Sequence, residues 1–507
     1  MSQWQLLILS ILVIPSACFG EIIIDHAKQN CRGMNQQHFG NGTIESTKLI
    51  KANGEVSEYC ELSGVITPEI RFKLRLPTSW NGKFHYYGGG GFNGYIVSAN
   101  KSAIRQGYAS VASDSGHTSF IPNPLSADFA RDNESALELF AYKSVPTVMA
   151  VAKQIVSQYY KNHITYSYFE GCSNGGREGL TAALKNPDLF DGMVIMAPAR
   201  QFIASYPFSQ RNARLLDMEG ARIGKKKLKL FSKKVLAHCD TVANDGLVDG
   251  IIANTEACDF NAETLRCAVD EPDDNCFSDA QLAVVKSYTT SIEAAGGLLR
   301  YAGFPFHGRE ADFGQWDIWL YGTPMRWPIV PSLGKKFLNT GVKNLLAKQD
   351  NIDVLTWNFE NLEYRHQIGN MVALIDRTNS DLSEYVALGG KIIFWQGSSD
   401  VAVSERSTTE YYNQLIATLG SDTVKSFTRY YIAPGVNHCF GGVGATQITQ
   451  LLPALDKWVV ENKPPETLIA HDNKKTFSRP LCVYPAYARY KRNGDSKRAE
   501  NFECATK

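Results

Sequence analysis

The segment Gly171-Cys172-Ser173-Asn174-Gly175 constrains the fold more than any other part of the chain. Residues 165–170 before it have the pattern of a short strand, and residues 179–185 continue as a helix that Asn186-Pro187 ends. Glycine at both flanks of a serine allows two backbones to approach closely at a sharp turn. The segment therefore predicts a strand, a strained turn and a helix, with the serine side chain exposed on the turn.

Strand and helix patterns alternate on both sides of a long irregular block. Residues 70–76, 83–87, 109–113, 193–196, 391–395 and 429–432 have strand patterns, and residues 145–160, 408–419 and 451–460 have helical spacing. Between about residues 200 and 385 this alternation fades and tryptophans gather, at Trp316, Trp319, Trp327 and Trp357. We predict an α/β fold with a mostly parallel sheet, formed by residues 21–199 and 386–507, and a large inserted lid formed by residues 200–385.

The N-terminus has the features of a secretory signal. Residues 6–15 are an apolar run too short to span a bilayer, and small residues follow up to Gly20. We predict a signal peptide at residues 1–20 and a secreted protein with no stable membrane span. A buried N-terminal strand or helix is an alternative, and acylation of Cys18 would instead give a periplasmic or lipid-anchored protein. The net charge of +1 gives no electrostatic reason to expect nucleic acid as a partner.

The cysteines support export. Removing Cys18 with the signal leaves an even number, and none forms a Cys-x-x-Cys pair. Disulfides formed in an oxidising compartment are the simpler explanation. Pairing by proximity along the chain predicts bridges Cys31–Cys60, Cys239–Cys258, Cys267–Cys276 and Cys482–Cys504, which leaves Cys172 to pair with Cys439.

Two later residues complete a candidate catalytic triad with Ser173. A serine hydroxyl needs a base within hydrogen-bond reach, and the base needs a carboxylate that orients it. In α/β-hydrolases the chain order is serine, acid, histidine. Asp400 follows the strand at 391–395, and His438 follows the strand at 429–432. Contact between Ser173 and His438 would also bring Cys172 and Cys439 within disulfide range, roughly 4.4–6.8 Å between Cα atoms.

Two other histidines are weaker candidates. His117 precedes Ser173 in the chain and is interpreted as structural, and His471 lies in a polar run and is interpreted as a surface residue.

The glycine run at residues 88–91 follows an early strand. It is either a flexible turn or a loop that supplies one backbone N–H to an oxyanion hole, with the second from the residue after the nucleophile. A phosphate-binding loop is less favoured because the Lys-Ser/Thr ending is absent.

An acidic loop lies inside the predicted lid. Residues 240–250 carry three aspartates and two Asp-Gly pairs, and Cys258 closes the loop. Hard oxygen ligands suit calcium, although the spacing is not that of an EF-hand. From spacing alone, two Asp-Gly turns are the favoured interpretation.

Together, the Cys-Ser nucleophile and the later His-Cys base resemble the tannase and feruloyl esterase family. The resemblance runs from about Cys60 to the C-terminus and includes residues 171–179, Asp400, residues 437–439 and the terminal pair Cys482/Cys504. It implies an α/β-hydrolase domain with a lid, a disulfide beside the triad, no organic cofactor, and a structural Ca²⁺ in the lid. The implied oxyanion donors are Gly91 and Asn174, and the implied calcium ligands are Asp240, Asp245 and Asp249 with the carbonyls of Leu247 and Ile251.

Two positions bear on the substrate. The resemblance includes a terephthalate-ester hydrolase, which has a histidine where this chain has Gln396 and a phenylalanine where it has Val403. We therefore expect an ester of a plant-type phenolic acid, feruloyl or galloyl, with the lid aromatics binding the small aromatic acid. The alternatives are a peptidase of the same fold and a catalytically silent secreted binding protein. The oligomeric state is left open.

Overall fold

The computed structural model describes residues 29–119, 125–241, 243–268, 274–322, 332–447 and 450–506. The predicted signal peptide, Cys18 and Trp327 lie outside the described residues. Within these residues no helix combines the length and apolarity needed to cross a membrane.

One large sheet organises the described chain. Its ten strands are β1 His38–Phe39, β2 Gly42–Ile50, β3 Tyr59–Ile66, β4 Ile70–Pro77, β5 Lys83–Tyr87, β6 Ala109–Ser113, β7 Tyr166–Cys172, β8 Gly192–Met196, β11 Lys391–Gly397 and β12 Thr428–Ala433. The remaining strands form the hairpin β9 Ile292–Ala294 with β10 Leu299–Tyr301 and the pairs β13 Thr467–His471 with β14 Ser478–Cys482 and β15 Tyr487–Tyr490 with β16 Phe502–Ala505.

Helices cover both faces of this sheet. The α-helices in chain order are α1 Lys101–Arg105, α2 Glu134–Glu138, α3 Ser144–Tyr160, α4 Asn174–Lys185, α5 Tyr206–Leu216, α6 Lys225–Cys239, α7 Asp279–Thr289, α8 Trp316–Trp319, α9 Leu333–Gly341, α10 Leu362–Ile375, α11 Ser383–Ala387, α12 Glu405–Leu419, α13 Ser421–Phe427 and α14 Leu451–Glu461.

Strand direction changes across the sheet. The order is β1-β2-β3-β4-β6-β5-β7-β8-β11-β12; the first four pairings are antiparallel and the pairings from β6 to β12 are parallel. The carboxyl ends of β7, β11 and β12 therefore meet at one edge. Functional groups of open α/β sheets gather at that edge.

Alternate side chains of the parallel strands bury into two separate cores. Phe169 and Phe394 belong to one apolar cluster, which includes α3 residues such as Val148. Their neighbours Tyr168 and Trp395 belong to a second cluster, which includes α14 residues such as Leu455. Both faces are buried, which explains why these strands are continuously apolar instead of alternating.

The sheet and its flanking helices confirm the predicted α/β architecture. The strands predicted at 83–87 and 109–113 have the observed bounds, while the strand at 165–170 extends to Cys172, so the turn is shorter than the sequence indicated. All strands of the large sheet come from residues 38–196 and 391–433. The domain boundaries at 199/200 and 385/386 stay a prediction.

The block expected to be irregular contains several regular helices. The helix α7 illustrates why its pattern was weak: it buries the polar side chains of Gln281 and Ser287 alongside its apolar ones. Gln281 donates to the carbonyl of Arg222 at 3.1 Å, and Ser287 donates to the Asn212 side chain at 3.0 Å. Buried polar residues that find partners in other elements interrupt the apolar stripe that predicts a helix.

All five predicted disulfides are present. They join Cys31 with Cys60, Cys172 with Cys439, Cys239 with Cys258, Cys267 with Cys276, and Cys482 with Cys504, with Cα–Cα distances between 4.8 and 5.9 Å.

Candidate active site

Ser173 is the single residue that connects the end of β7 to the start of α4. Its backbone has φ 63° and ψ −121°, a conformation that L-residues rarely adopt. A Cβ on Gly171 would come within 2.6 Å of the Gly175 backbone, and one on Gly175 within 2.8 Å of the Gly89 carbonyl oxygen. Both glycines of the turn are therefore required sterically, as the sequence pattern predicted.

Asp400 and His438 are in direct contact. The His438 Nδ1 lies 2.7 Å from Oδ2 of Asp400, whose side chain is completely buried, while the histidine side chain keeps 22% of its surface exposed. The other oxygen of Asp400 accepts from the N–H groups of Ala402 at 2.8 Å and Val403 at 2.9 Å. These bonds fix the carboxylate, which in turn holds the imidazole at its Nδ1 edge.

Gln396 supports the same carboxylate. This residue is fully buried in β11, and its amide nitrogen donates to Oδ2 of Asp400 at 3.0 Å, while its amide oxygen accepts from the Thr408 hydroxyl at 2.8 Å. Gln396 is absent from the cavity lining, whereas Val403 belongs to it. Of the two positions that bear on the substrate, only Val403 can contact a ligand directly.

The glycine loop lies against the start of α4. Gly91 has φ 57°, and the backbone N–H of Asn93 donates to the Gly90 carbonyl at 2.9 Å, so the loop is an ordered turn. Asn174 is the first residue of α4, and the first N–H groups of a helix have no acceptor within it. Both Gly91 and Ser173 line one cavity. Gly91 therefore borders the cavity together with Ser173, and Asn174 is the next residue along the chain.

That cavity has a volume of about 480 Å³, within the range of small-molecule sites. Ser173, His438 and Gly91 line it on the sheet side. Much of the remaining lining is apolar and aromatic, from residues of the predicted lid and its borders: Phe202, Phe208, Tyr301, Phe304, Trp319 and Phe337. Of the tryptophans noted in the sequence, Trp316 is fully buried in the core of this region and Trp357 stacks on Tyr364 at 4.2 Å, so neither lines the cavity.

His117 and His471, the two weaker histidine candidates, lie outside the cavity lining. His117 is buried, and its ring stacks on Phe129 with centroids 3.6 Å apart. Burial lowers the pKa of His117 to about 4, so the ring is neutral at pH 7. His471 ends β13 and pairs through its backbone with Gln447.

The acidic loop buries two of its three carboxylates. Asp240 and Asp245 are 4% and 5% exposed, and burial raises the pKa of Asp245 to about 7, with the nearby charges of Asp249 and Asp240 adding to the effect. In the described part of the chain, Oδ1 of Asp240 is buried and has no hydrogen-bond partner. A buried carboxylate oxygen without a donor fits a cation ligand.

Asp249 is engaged differently. Its carboxylate pairs with Arg479 at 2.5 Å and accepts from the Ile251 N–H at 3.1 Å. Among the described residues, no three His, Cys, Asp or Glu side chains are grouped closely enough to hold a metal ion. A cation at this loop would depend on Asp240, Asp245 and backbone carbonyls such as those of Leu247 and Ile251.

One buried carboxylate beside the glycine loop was missed in the sequence analysis. Glu178, on the second turn of α4, is 3% exposed, and its carboxylate accepts from the Gly89 N–H at 2.9 Å, the Asn93 amide at 3.0 Å and the Ser115 hydroxyl at 3.1 Å. The one available signal was a charged residue within a glycine-rich segment, where a helix this close to a sheet leaves no solvent for it.

The chain is similar to known esterases in both sequence and fold. Residues 54–505 match the family model described as tannase and feruloyl esterase. A probable feruloyl esterase of Arthroderma benhamiae is 31% identical, with 85% of this chain and 81% of the relative covered. The mono(2-hydroxyethyl) terephthalate hydrolase of Piscinibacter sakaiensis is 30% identical, with 88% and 85% covered. The crystal structure of feruloyl esterase B from Aspergillus oryzae superimposes with a TM-score of 0.82 at 24% identity, covering 94% of this chain and 99% of that one.

Proposed function

Because the chain belongs to the tannase and feruloyl esterase family and is a carboxylic ester hydrolase, we propose that it hydrolyses esters of phenolic acids such as ferulate or gallate. The observation that carries this proposal is the convergence of Ser173, His438 and Gly91 on one cavity, with Asp400 hydrogen-bonded to the histidine. The cavity's aromatic lining supports an aromatic acid, because aromatic rings pack favourably against each other in offset or edge-to-face contacts.

The proposed chemistry is acyl transfer to water in two steps. The Ser173 Oγ attacks the ester carbonyl while Nε2 of His438 takes its proton, and Asp400, bound at Nδ1, stabilises the imidazolium. The N–H groups of Gly91 and Asn174 hold the oxyanion of the tetrahedral intermediate. His438 then returns the proton to the leaving alcohol, which leaves an acyl-serine. Water, deprotonated by the same histidine, then attacks the acyl-serine, and His438 returns this proton to the Ser173 Oγ as the acid leaves.

A hydrolysis panel tests the proposed substrate class. Methyl ferulate, methyl gallate and a terephthalate monoester are offered to the purified protein, with a peptide substrate as the fourth arm. The expected result is the highest kcat/KM for one of the two phenolic esters. The highest value for the terephthalate ester or the peptide contradicts the phenolic assignment. Failure of a fluorophosphonate to label Ser173 in the folded protein supports the silent binding protein instead.

The protein's export is part of the proposal. Five disulfides are typical of proteins that fold in oxidising compartments. Cleavage after Gly20 gives a secreted protein that begins at Glu21, and N-terminal sequencing of the protein recovered from the medium tests this directly. Recovery only in the membrane fraction, with Cys18 acylated, supports the lipid-anchored alternative.

We also propose that the loop 240–251 binds a structural Ca²⁺. The buried, unpartnered oxygen of Asp240 and the raised pKa of Asp245 support a cation there. A bound cation would stabilise the ionised form of both side chains and so anchor the loop that Cys239–Cys258 closes.

A further inference from the structure

The proposed oxyanion donors lie on two different elements. Gly91 belongs to the loop after β5, and Asn174 is the first residue of α4. An oxyanion hole stabilises the transition state only if its donors are held in position before the reaction, since reorganisation during the step would cost the advantage. A link between the loop and the helix is therefore a requirement of the site.

Glu178 makes this link from a fully buried position. One carboxylate oxygen accepts from Gly89 at 2.9 Å, and the other accepts from Asn93 at 3.0 Å. These two residues flank Gly91 at equal distance along the chain, so the carboxylate holds the loop on both sides of the donor. Because Glu178 lies on the same helix as Asn174, the loop and the second donor share one anchor.

Asn93 connects the Glu178 carboxylate to the side chain of Asn174. Its amide oxygen accepts from the Asn174 side chain at 3.0 Å while its amide nitrogen donates to Glu178. Arg177 also donates to the Asn174 side chain, at 2.6 Å, and to the carbonyls of Phe140 and Ala141. The side chain of Asn174 is thus fixed from two directions.

We propose that Glu178 is a positioning residue for the oxyanion hole, acting through Gly89, Asn93 and Asn174 on the two backbone donors. This inference rests on the proposed function. Burial raises the pKa of Glu178, while the Gly89 N–H, the charge of Arg177 and the hydroxyl of Ser115 oppose the rise. Glu178 is not among the residues that line the cavity, so the proposed effect of its carboxylate is geometric.

The test uses two variants that break the link at different points. Glu178→Leu removes the shared acceptor. Asn93→Gly removes the bridging amide while tolerating the positive φ of 53° at that position.

Asp114→Asn is the matched control: Asp114 is a buried acid in the neighbouring turn, and its carboxylate accepts from the Arg71 and Gly116 N–H groups instead. For each variant, kcat/KM on 4-nitrophenyl acetate, Ki for phenyl trifluoromethyl ketone and the melting temperature are measured.

The trifluoromethyl ketone forms a tetrahedral adduct whose oxyanion occupies the hole, so its affinity reports the donors directly. Both link variants should lose at least about tenfold in kcat/KM, with Ki raised by a similar factor, since misplacement of about 1 Å can cost a hundredfold. Asp114→Asn should lower the melting temperature and leave both constants within threefold of wild type.

The outcomes separate the two proposals. A wild-type protein inactive on every ester contradicts the proposed function itself. An active wild type whose folded link variants keep kcat/KM within threefold, or lose activity with Ki unchanged, overturns the role of Glu178 alone. If Glu178→Leu does not fold, Asn93→Gly decides, because it keeps the carboxylate and its other donors.

Discussion

Cys172 and Cys439 are bonded to each other, and each is the immediate chain neighbour of a proposed triad residue, Ser173 or His438. Their Cα atoms are 5.9 Å apart, and the bridge joins positions separated by 267 residues. The backbones that carry nucleophile and base are therefore connected covalently. Neither residue can move along the sheet edge without the other.

This bridge should affect catalysis more than the others do. Replacing Cys172 and Cys439 by serine should lower kcat at temperatures where the variant is still folded, because small displacements of reacting groups are costly. Loss of so long a closed loop should also lower stability, by about 5–6 kcal/mol in the chain-entropy model. kcat and melting temperature are measured together.

The matched control is the double variant of Cys482 and Cys504, which join β14 to β16 away from the cavity. It should lower the melting temperature and leave kcat near wild type. A folded Cys172/Cys439 variant with wild-type kcat would show that the bridge does not position the triad.

The triad variants should separate chemistry from folding. Ser173→Ala, Asp400→Asn and His438→Ala should each lower kcat by orders of magnitude, since nucleophile, base and orienting acid act as a unit. Circular dichroism and melting curves should remain close to wild type for Ser173→Ala. Near-full activity in any one of the three assigns that role to another residue.

Removing calcium should destabilise the protein before it affects the chemistry. A chelator should lower the melting temperature, because a ligand that binds only the folded state adds to its stability. Activity measured well below that temperature should change little, since the acidic loop is not part of the cavity lining. Elemental analysis that finds no metal, together with an unchanged melting temperature, removes the calcium proposal.

Glu405 should make stability depend on pH. It is fully buried at the start of α12, where burial raises its pKa from 4.5 to about 7 and the Thr255 hydroxyl donates to it at 2.6 Å. The folded state binds the Glu405 proton more tightly than the unfolded state does. The resulting stabilisation of the folded state is fully present below about pH 4.5 and is lost as the pH rises through about 7.

Glu405→Gln should remove this loss, because the amide stays neutral. Relative to wild type, the variant should gain up to about 3 kcal/mol in the free energy of unfolding between pH 5 and pH 8.5. Urea denaturation at both pH values measures the difference. Parallel pH dependence in the two proteins would contradict the prediction.

The sequence predicted the parallel half of the fold better than the antiparallel half. β5, β7 and β11 are short apolar runs beside helices with clear spacing, whereas the long strand β2, next to the two-residue edge strand β1, has mixed polarity and was not identified. The contact between Asp400 and His438 followed from chain order and strand ends. The Glu178 network could not be predicted, because its partners Gly89 and Ser115 lie 89 and 63 residues away and no local pattern marks them.

The pairing of β8 with β11 has a consequence for how proteins of this kind diversify. The chain leaves the sheet after Met196 and returns at Lys391, yet these two strands are hydrogen-bonded neighbours, with Gly192 opposite Lys391 and Met196 opposite Trp395. Because the two strands are parallel, the intervening segment starts at the carboxyl end of β8 and returns to the amino end of β11, its neighbour in the sheet. Both ends of the segment are held by one sheet, so its length and sequence can change without breaking the pairing of β8 with β11. Swapping it between two relatives is accordingly a direct route to new acyl preferences.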